Sequence, residues 1–156
     1  MKKYILLLLP CILVAKEPLL CFGAGDNNLT GTHKKWLFQA EYRFSPPVYD
    51  LRPQVGIFMT TQLATFIYGG VGYDFILWDR IVITPSFSPG WYIRGNGKNL
   101  GFPIEFRSAL ECAFQFKKGA RLGLAISHLS NAHLSHRNPG VNTLVLSIEV
   151  PLCFED

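Results

Sequence analysis

Charged residues are scarce. Asp, Glu, Lys and Arg together make up 17% of the 156 residues, and the formal charge is only +4. Lys2 and Lys3 belong to an N-terminal segment expected to be removed, so no nucleic-acid partner is expected. Beyond the first 15 residues no run of 18 apolar residues occurs, which excludes a transmembrane helix there. Cysteines number four. Cys11 falls in the leader and Cys21 near its end. Cys112 and Cys153 fall in different expected strands, so no disulfide is predicted and small apolar filler is their expected role. His128, His133 and His136 straddle a loop without regular ligand spacing, so neither a metal nor another cofactor is expected.

Apolar residues are plentiful, at 49%, with 13% aromatics, 14 Gly and 10 Pro. That composition excludes a disordered chain and disfavours a helical bundle. The length suits one domain. A small all-β protein remains, either a soluble barrel or one that faces lipid.

Met1–Ala15 reads as two lysines followed by an apolar stretch too short to span a bilayer comfortably. This is the pattern of a secretory signal peptide, with cleavage expected after Ala15 or as late as Gly23. Residues 16–156 are then the barrel domain.

From Trp36 onward the chain alternates with period two, the signature of strands. In Trp36–Phe44, the residues Trp36, Phe38, Ala40, Tyr42 and Phe44 share one face, and Gln39, Glu41 and Arg43 the other. In Glu105–Lys117, Phe106, Leu110, Cys112, Phe114 and Phe116 oppose Glu105, Arg107, Glu111 and Gln115. In Arg121–Ser130, Leu122, Leu124 and Ile126 oppose Arg121, Gly123, Ala125 and Ser127. In Asn142–Leu152, Leu144, Leu146, Ile148, Val150 and Leu152 oppose Thr143, Ser147 and Glu149. Segments 51–60, 63–75 and 81–94 behave alike, and the glycines of Tyr68–Gly72 lie within a strand, where they relieve crowding.

One face is therefore bulky and apolar, and the other mixes charges of both signs with small residues. A soluble barrel would point the apolar face inward, but seven or eight strands enclose a narrow interior that so many large side chains would overfill. A membrane barrel points that face at lipid and fills its lumen with the polar face. The segments are also long enough to cross a hydrocarbon core at a tilt. An even strand number requires an eighth strand beyond these seven, expected in Lys16–Asn27. The predicted fold is thus an all-β, eight-stranded antiparallel up-and-down transmembrane β-barrel. Connections at 61–62, 94–101 and 131–141 are expected outside, and turns at 45–50, 76–80 and 118–120 in the periplasm.

One strand breaks its own rule. After Leu122, Leu124 and Ile126 the same parity continues with His128 and Ser130, which places an imidazole and a hydroxyl side by side on the lipid-facing wall. Asn142 opens the last strand on the same parity, and the intervening loop could return it beside His128. These are the parts of a nucleophilic hydrolase: Ser130 as nucleophile, His128 as base, and Asn142 fixing the imidazole tautomer. Asn131 and the backbone at Ala132 are candidate oxyanion donors. Alternatives remain open at this point: a polar pair solvating the membrane interface, or Arg94, Lys98 and Arg137 binding lipid phosphates.

The run Ser127-His128-Leu129-Ser130-Asn131-Ala132-His133-Leu134, followed by Arg137-Asn138-Pro139-Gly140-Val141-Asn142-Thr143-Leu144, resembles the lipid A 3-O-deacylase family of outer-membrane barrels. Weaker similarity extends through Phe106–Glu111 and Leu51-Arg52-Pro53. The resemblance implies a serine esterase of the outer membrane, independent of metal, that hydrolyses the ester-linked 3-O-acyl chain of lipid A in the outer leaflet. It matches the nucleophile to Ser130 and the base to His128, and Asn131 and Asn138 to family asparagines near the site. The family's third member is a glutamate where this chain has Asn142, and the family has glycine where His133 stands. The outer-membrane phospholipase A family shares the relative spacing of His, Ser and Asn but has longer, calcium-using barrels. A phospholipase or lysophospholipase on the same scaffold, and a catalytically silent structural barrel, are the competing expectations.

Overall fold

The computed structural model describes residues 17–29, 35–48 and 51–152. The expected signal peptide, 1–15, lies outside them, as does Cys153. The described residues form nine strand segments: β1 (Leu19–Asp26), β2 (Trp36–Arg43), β3 (Leu51–Thr60), β4 (Thr65–Tyr73), β5 (Phe75–Leu77), β6 (Ile81–Ile93), β7 (Ile104–Gln115), β8 (Arg121–Ser130) and β9 (Val141–Pro151). β4 and β5 pair with β6 in one continuous register, Gly72 opposite Ser86 and Phe75 opposite Ile83, so they form a single barrel strand interrupted at Asp74. All pairings are antiparallel, and the β1–β9 and β4–β6 ladders close the ring. The result is a closed eight-stranded up-and-down barrel, as the alternation predicts.

β1 supplies the strand expected in Lys16–Asn27. Its register against β9 places Gly25 opposite Val145, where a Cβ would collide with the backbone at Leu144 and Val145. Glycine here permits close strand approach at the expense of the alternation that marks other strands.

Parity sorts the side chains as expected. Trp36, Phe38, Ile57, Ile67, Phe87, Trp91, Leu110, Leu124, Ile126, Leu146 and Ile148 are exposed on the outer wall. Glu41, Arg43, Arg52, Asp74, Glu111, Arg121 and Glu149 are buried in the lumen. An apolar belt around a closed ladder is the surface a bilayer covers, because no strand edge is left unpaired. Among the described residues no helix is long and apolar enough to cross a membrane.

The lumen has two layers. In the half nearer the chain termini, Arg43 reaches Glu41 at 2.6 Å, Glu111 at 2.8 Å and Glu149 at 3.4 Å. Asp74 joins Arg52 at 3.2 Å and Arg121 at 2.9 Å. The half nearer the 94–103 and 131–140 loops holds Leu37, Phe58, Phe66, Tyr68, Tyr92, Leu100, Leu129 and Val145 in one buried apolar cluster. Tyr68 and Tyr92 share the parity expected to face inward, and Leu37, Phe58, Phe66 and Leu129 add apolar bulk to an interior expected to hold mainly charged and small residues. Where opposing wall residues are glycine, as at Gly56 and Gly90, ring atoms of Tyr68 and Phe66 occupy the space that a Cβ would take. Leu63 also departs from its expected strand position. It sits in the β3–β4 turn with φ +60°, and the strand begins at Thr65.

Candidate active site

β8 carries His128 and Ser130 outward at the loop end of the barrel. The flanking Leu129 and Ser127 are buried. The β8–β9 ladder sets His128 directly opposite Asn142, and the β7–β8 ladder sets Ser108 on its other side. His128 Nδ1 lies 2.7 Å from Asn142 Oδ1. A carboxamide oxygen can only accept, so the ring donates from Nδ1, and in the neutral imidazole Nε2 then carries the lone pair. Ser130 follows two residues on, toward the loop, with Phe106 opposite it on β7. His128, Ser130 and Asn142 therefore share one patch of the outer wall. Beneath them Ser127 and Thr143 share a hydrogen bond of 2.6 Å in the lumen, which ties β8 to β9 at this level.

Asn131, buried directly after Ser130, has a different part. Its Nδ2 donates to the carbonyls of Leu100 at 2.9 Å and Arg137 at 2.8 Å. Its backbone N–H donates to Asn138 Oδ1 at 3.1 Å. The Asn131 side-chain donor sketched above for an oxyanion is thus already used: Asn131 fastens the loop to the 94–103 connection, and Asn138 fastens it to itself through Oδ1. Leu100 is 31 positions away along the chain, so no local pattern could have signalled this role. Ala132 and His133 follow with φ +50° and +64°. Leu134 N–H donates to Asn131 carbonyl at 2.9 Å, which makes residues 131–134 a type I′ turn. Among the described residues the backbone N–H groups of Ala132 and His133 donate to no backbone carbonyl.

Below His128 the wall is indented. One cavity of about 330 Å³ is lined by Ser108, Leu110, Ile126, His128 and Asn142 among others. A second, of about 250 Å³, continues it past Leu110 and Ile126 to Cys112, Leu124 and Ile83. Small side chains at Ser108 and Cys112 on β7 create the dent in an otherwise bulky face. Glu111 points into the lumen toward Arg43, away from this patch.

The lipid A 3-O-deacylase (PagL) family model matches residues 67–151. The crystal structure of the outer membrane enzyme PagL has a TM-score of 0.65 to this chain, at 18% identity, over 86% of this chain and 99% of that one. A de novo designed transmembrane β-barrel also gives 0.65, at 10% identity over 89% and 98%. The Yersinia pestis outer membrane protein Ail in a phospholipid bilayer nanodisc gives 0.54, at 9% identity over 87% and 100%. Among curated proteins none matches by sequence. At these identities the three structures speak to the barrel fold.

Proposed function

The chain belongs to the lipid A 3-O-deacylase (PagL) family, and we propose that it is an outer-membrane esterase that removes the 3-O-acyl chain of lipid A by a serine mechanism. The observation that carries this reading is the His128–Asn142 pair at 2.7 Å, beside Ser130, on a lipid-facing wall. An imidazole and a carboxamide are costly to place against lipid, and polar groups kept there favour a functional role.

In this mechanism His128 Nε2 takes the proton of Ser130 Oγ as the oxygen attacks the ester carbonyl carbon. Asn142 holds Nδ1–H and keeps Nε2 available. The carbonyl oxygen becomes an oxyanion, met by the free backbone N–H groups of the Ala132–His133 turn. Collapse breaks the bond to the sugar oxygen, which leaves with the proton from His128. Water then attacks the acyl-Ser130 ester, its proton passing to His128 and on to the departing Ser130 oxygen. The fatty acid is released and the site is restored. During this the acyl chain lies in the groove running from Ser108 to Cys112. The outward position lets a lipid in the outer leaflet reach the serine sideways, without leaving the bilayer.

The test is direct. Refolded protein is incubated with lipid A and the products are weighed by mass spectrometry. Loss of one hydroxyacyl chain is expected, with Ser130→Ala and His128→Ala each slower by roughly 10³-fold or more. Fatty acid release from phospholipid but not from lipid A would replace the substrate. No turnover of either lipid by the unaltered protein would make this a structural barrel.

A further inference from the structure

Lys98 lies in the 94–103 connection, outside every strand, yet its ammonium reaches the chain immediately before Asn142. Lys98 Nζ donates to the Gly140 carbonyl at 2.7 Å and to the Pro139 carbonyl at 3.4 Å. Gly140 is buried with φ +54°. A Cβ on it would stand 2.7 Å from His128 Cε1 and 3.2 Å from Nε2, so its α-carbon is the surface against which the imidazole rests. Two residues later Asn142 holds the ring's Nδ1. Segment 139–142 therefore sets both the packing and the hydrogen bond of His128, and Lys98 grips two successive carbonyls of it. Hydrogen bonds from a charged donor are about twice as strong as neutral ones.

We propose that Lys98 is a positioning residue for His128, acting through the carbonyls of Pro139 and Gly140. The inference rests on the esterase reading for its kinetic consequence, though not for its geometry. Lys98 is exposed and lies outside the strands, so its replacement is expected to leave the barrel intact. Its ordinary alternative is a cation that binds the phosphate of a lipid headgroup, and the two roles divide kinetically. A positioning lysine acts on kcat, whereas a headgroup ligand acts on KM.

The experiment uses full-length refolded protein in detergent with lipid A. Lys98→Met is expected to lower kcat roughly 10- to 100-fold, as a displaced catalytic group does, with KM changed by less than about twofold. Lys98→Arg, which can still donate to both carbonyls, should recover most of the loss. A raised KM with kcat retained would overturn the proposal in favour of headgroup binding. A second readout needs no turnover. With ¹⁵N-labelled histidine, the His128 Nδ1–H signal should exchange slowly in the unaltered protein and fast in Lys98→Met. Equal exchange in both would overturn the proposal. Inactive unaltered protein with this exchange difference preserved would instead reject the esterase reading alone.

Discussion

His128 and Asn142 face each other across β8 and β9, with Nδ1 2.7 Å from the carboxamide Oδ1. The ladder alone imposes this: the register that buries Ser127 and Thr143 as a pair necessarily brings the next residues together on the opposite face. An amide in this position orients the ring but would add no negative charge beside the imidazolium of the proposed mechanism.

Replacing Asn142 separates these effects. Asn142→Ala removes one neutral hydrogen bond, and kcat should fall about 5- to 10-fold, as its loss of about 1 kcal/mol requires. Asn142→Asp keeps the reach and adds a charge, so kcat should equal or exceed that of the unaltered protein, by up to about fivefold. Steady-state rates on lipid A decide it. Equal rates in all three proteins would remove Asn142 from the mechanism.

The candidate site was legible because two polar residues stood on a parity otherwise reserved for Leu122, Leu124 and Ile126. That contrast exists only because lipid contacts one face of the strand. The same logic failed at Leu37, Phe58, Phe66 and Leu129. These side chains fill the lumen near the site, yet they alternate with lipid-facing residues that are equally apolar, and the period-two contrast vanishes. β1 was faint for another reason, since Gly23, Ala24 and Gly25 give no sign of a face. Asn131 stands next to Ser130 in the sequence, but its hydrogen bond to the Leu100 carbonyl depends on a loop from elsewhere in the chain.

His133 occupies the third position of a type I′ turn at φ +64°, a region that glycine enters freely and other residues enter at a cost of about 1–3 kcal/mol. His133→Gly should relieve about 1 kcal/mol of that strain and raise the urea midpoint of unfolding. His133→Val, branched at Cβ, should lower it. A valine variant as stable as the glycine variant would show that the turn is not strained at this residue.

Arg43 is the centre of the lumen network, touching Glu41, Glu111 and Glu149 in the half of the barrel away from His128. Arg43→Met strands the buried Glu111 carboxylate and removes one of the partners of Glu41 and Glu149, which keep Arg107 and Arg121. Loss of one partner of a buried ion pair typically costs about 3–5 kcal/mol, and unfolding in urea from lipid vesicles should shift accordingly. Well below that transition kcat should stay unchanged, because the ladder around His128 does not use Arg43. A variant as stable as the parent would mean that water or protonation replaces the arginine in the lumen.

Cys112 sits on β7 opposite Leu124, four residues along β8 from His128, which is about 13 Å at strand spacing. It is exposed on the outer wall, in the part of the groove farthest from the site. Cys112→Trp fills that space while leaving the polar patch untouched, and an aromatic on a lipid-facing wall costs the barrel little. If acyl chains lie along this groove, kcat/KM for lipid A should fall roughly tenfold, the scale of a lost apolar subsite. Hydrolysis of a short-chain aryl ester, whose acyl part ends near Ser108, should be unaffected. Equal losses on both substrates would place the damage at the site itself, and no loss on either would send the acyl chain along a different face of the barrel.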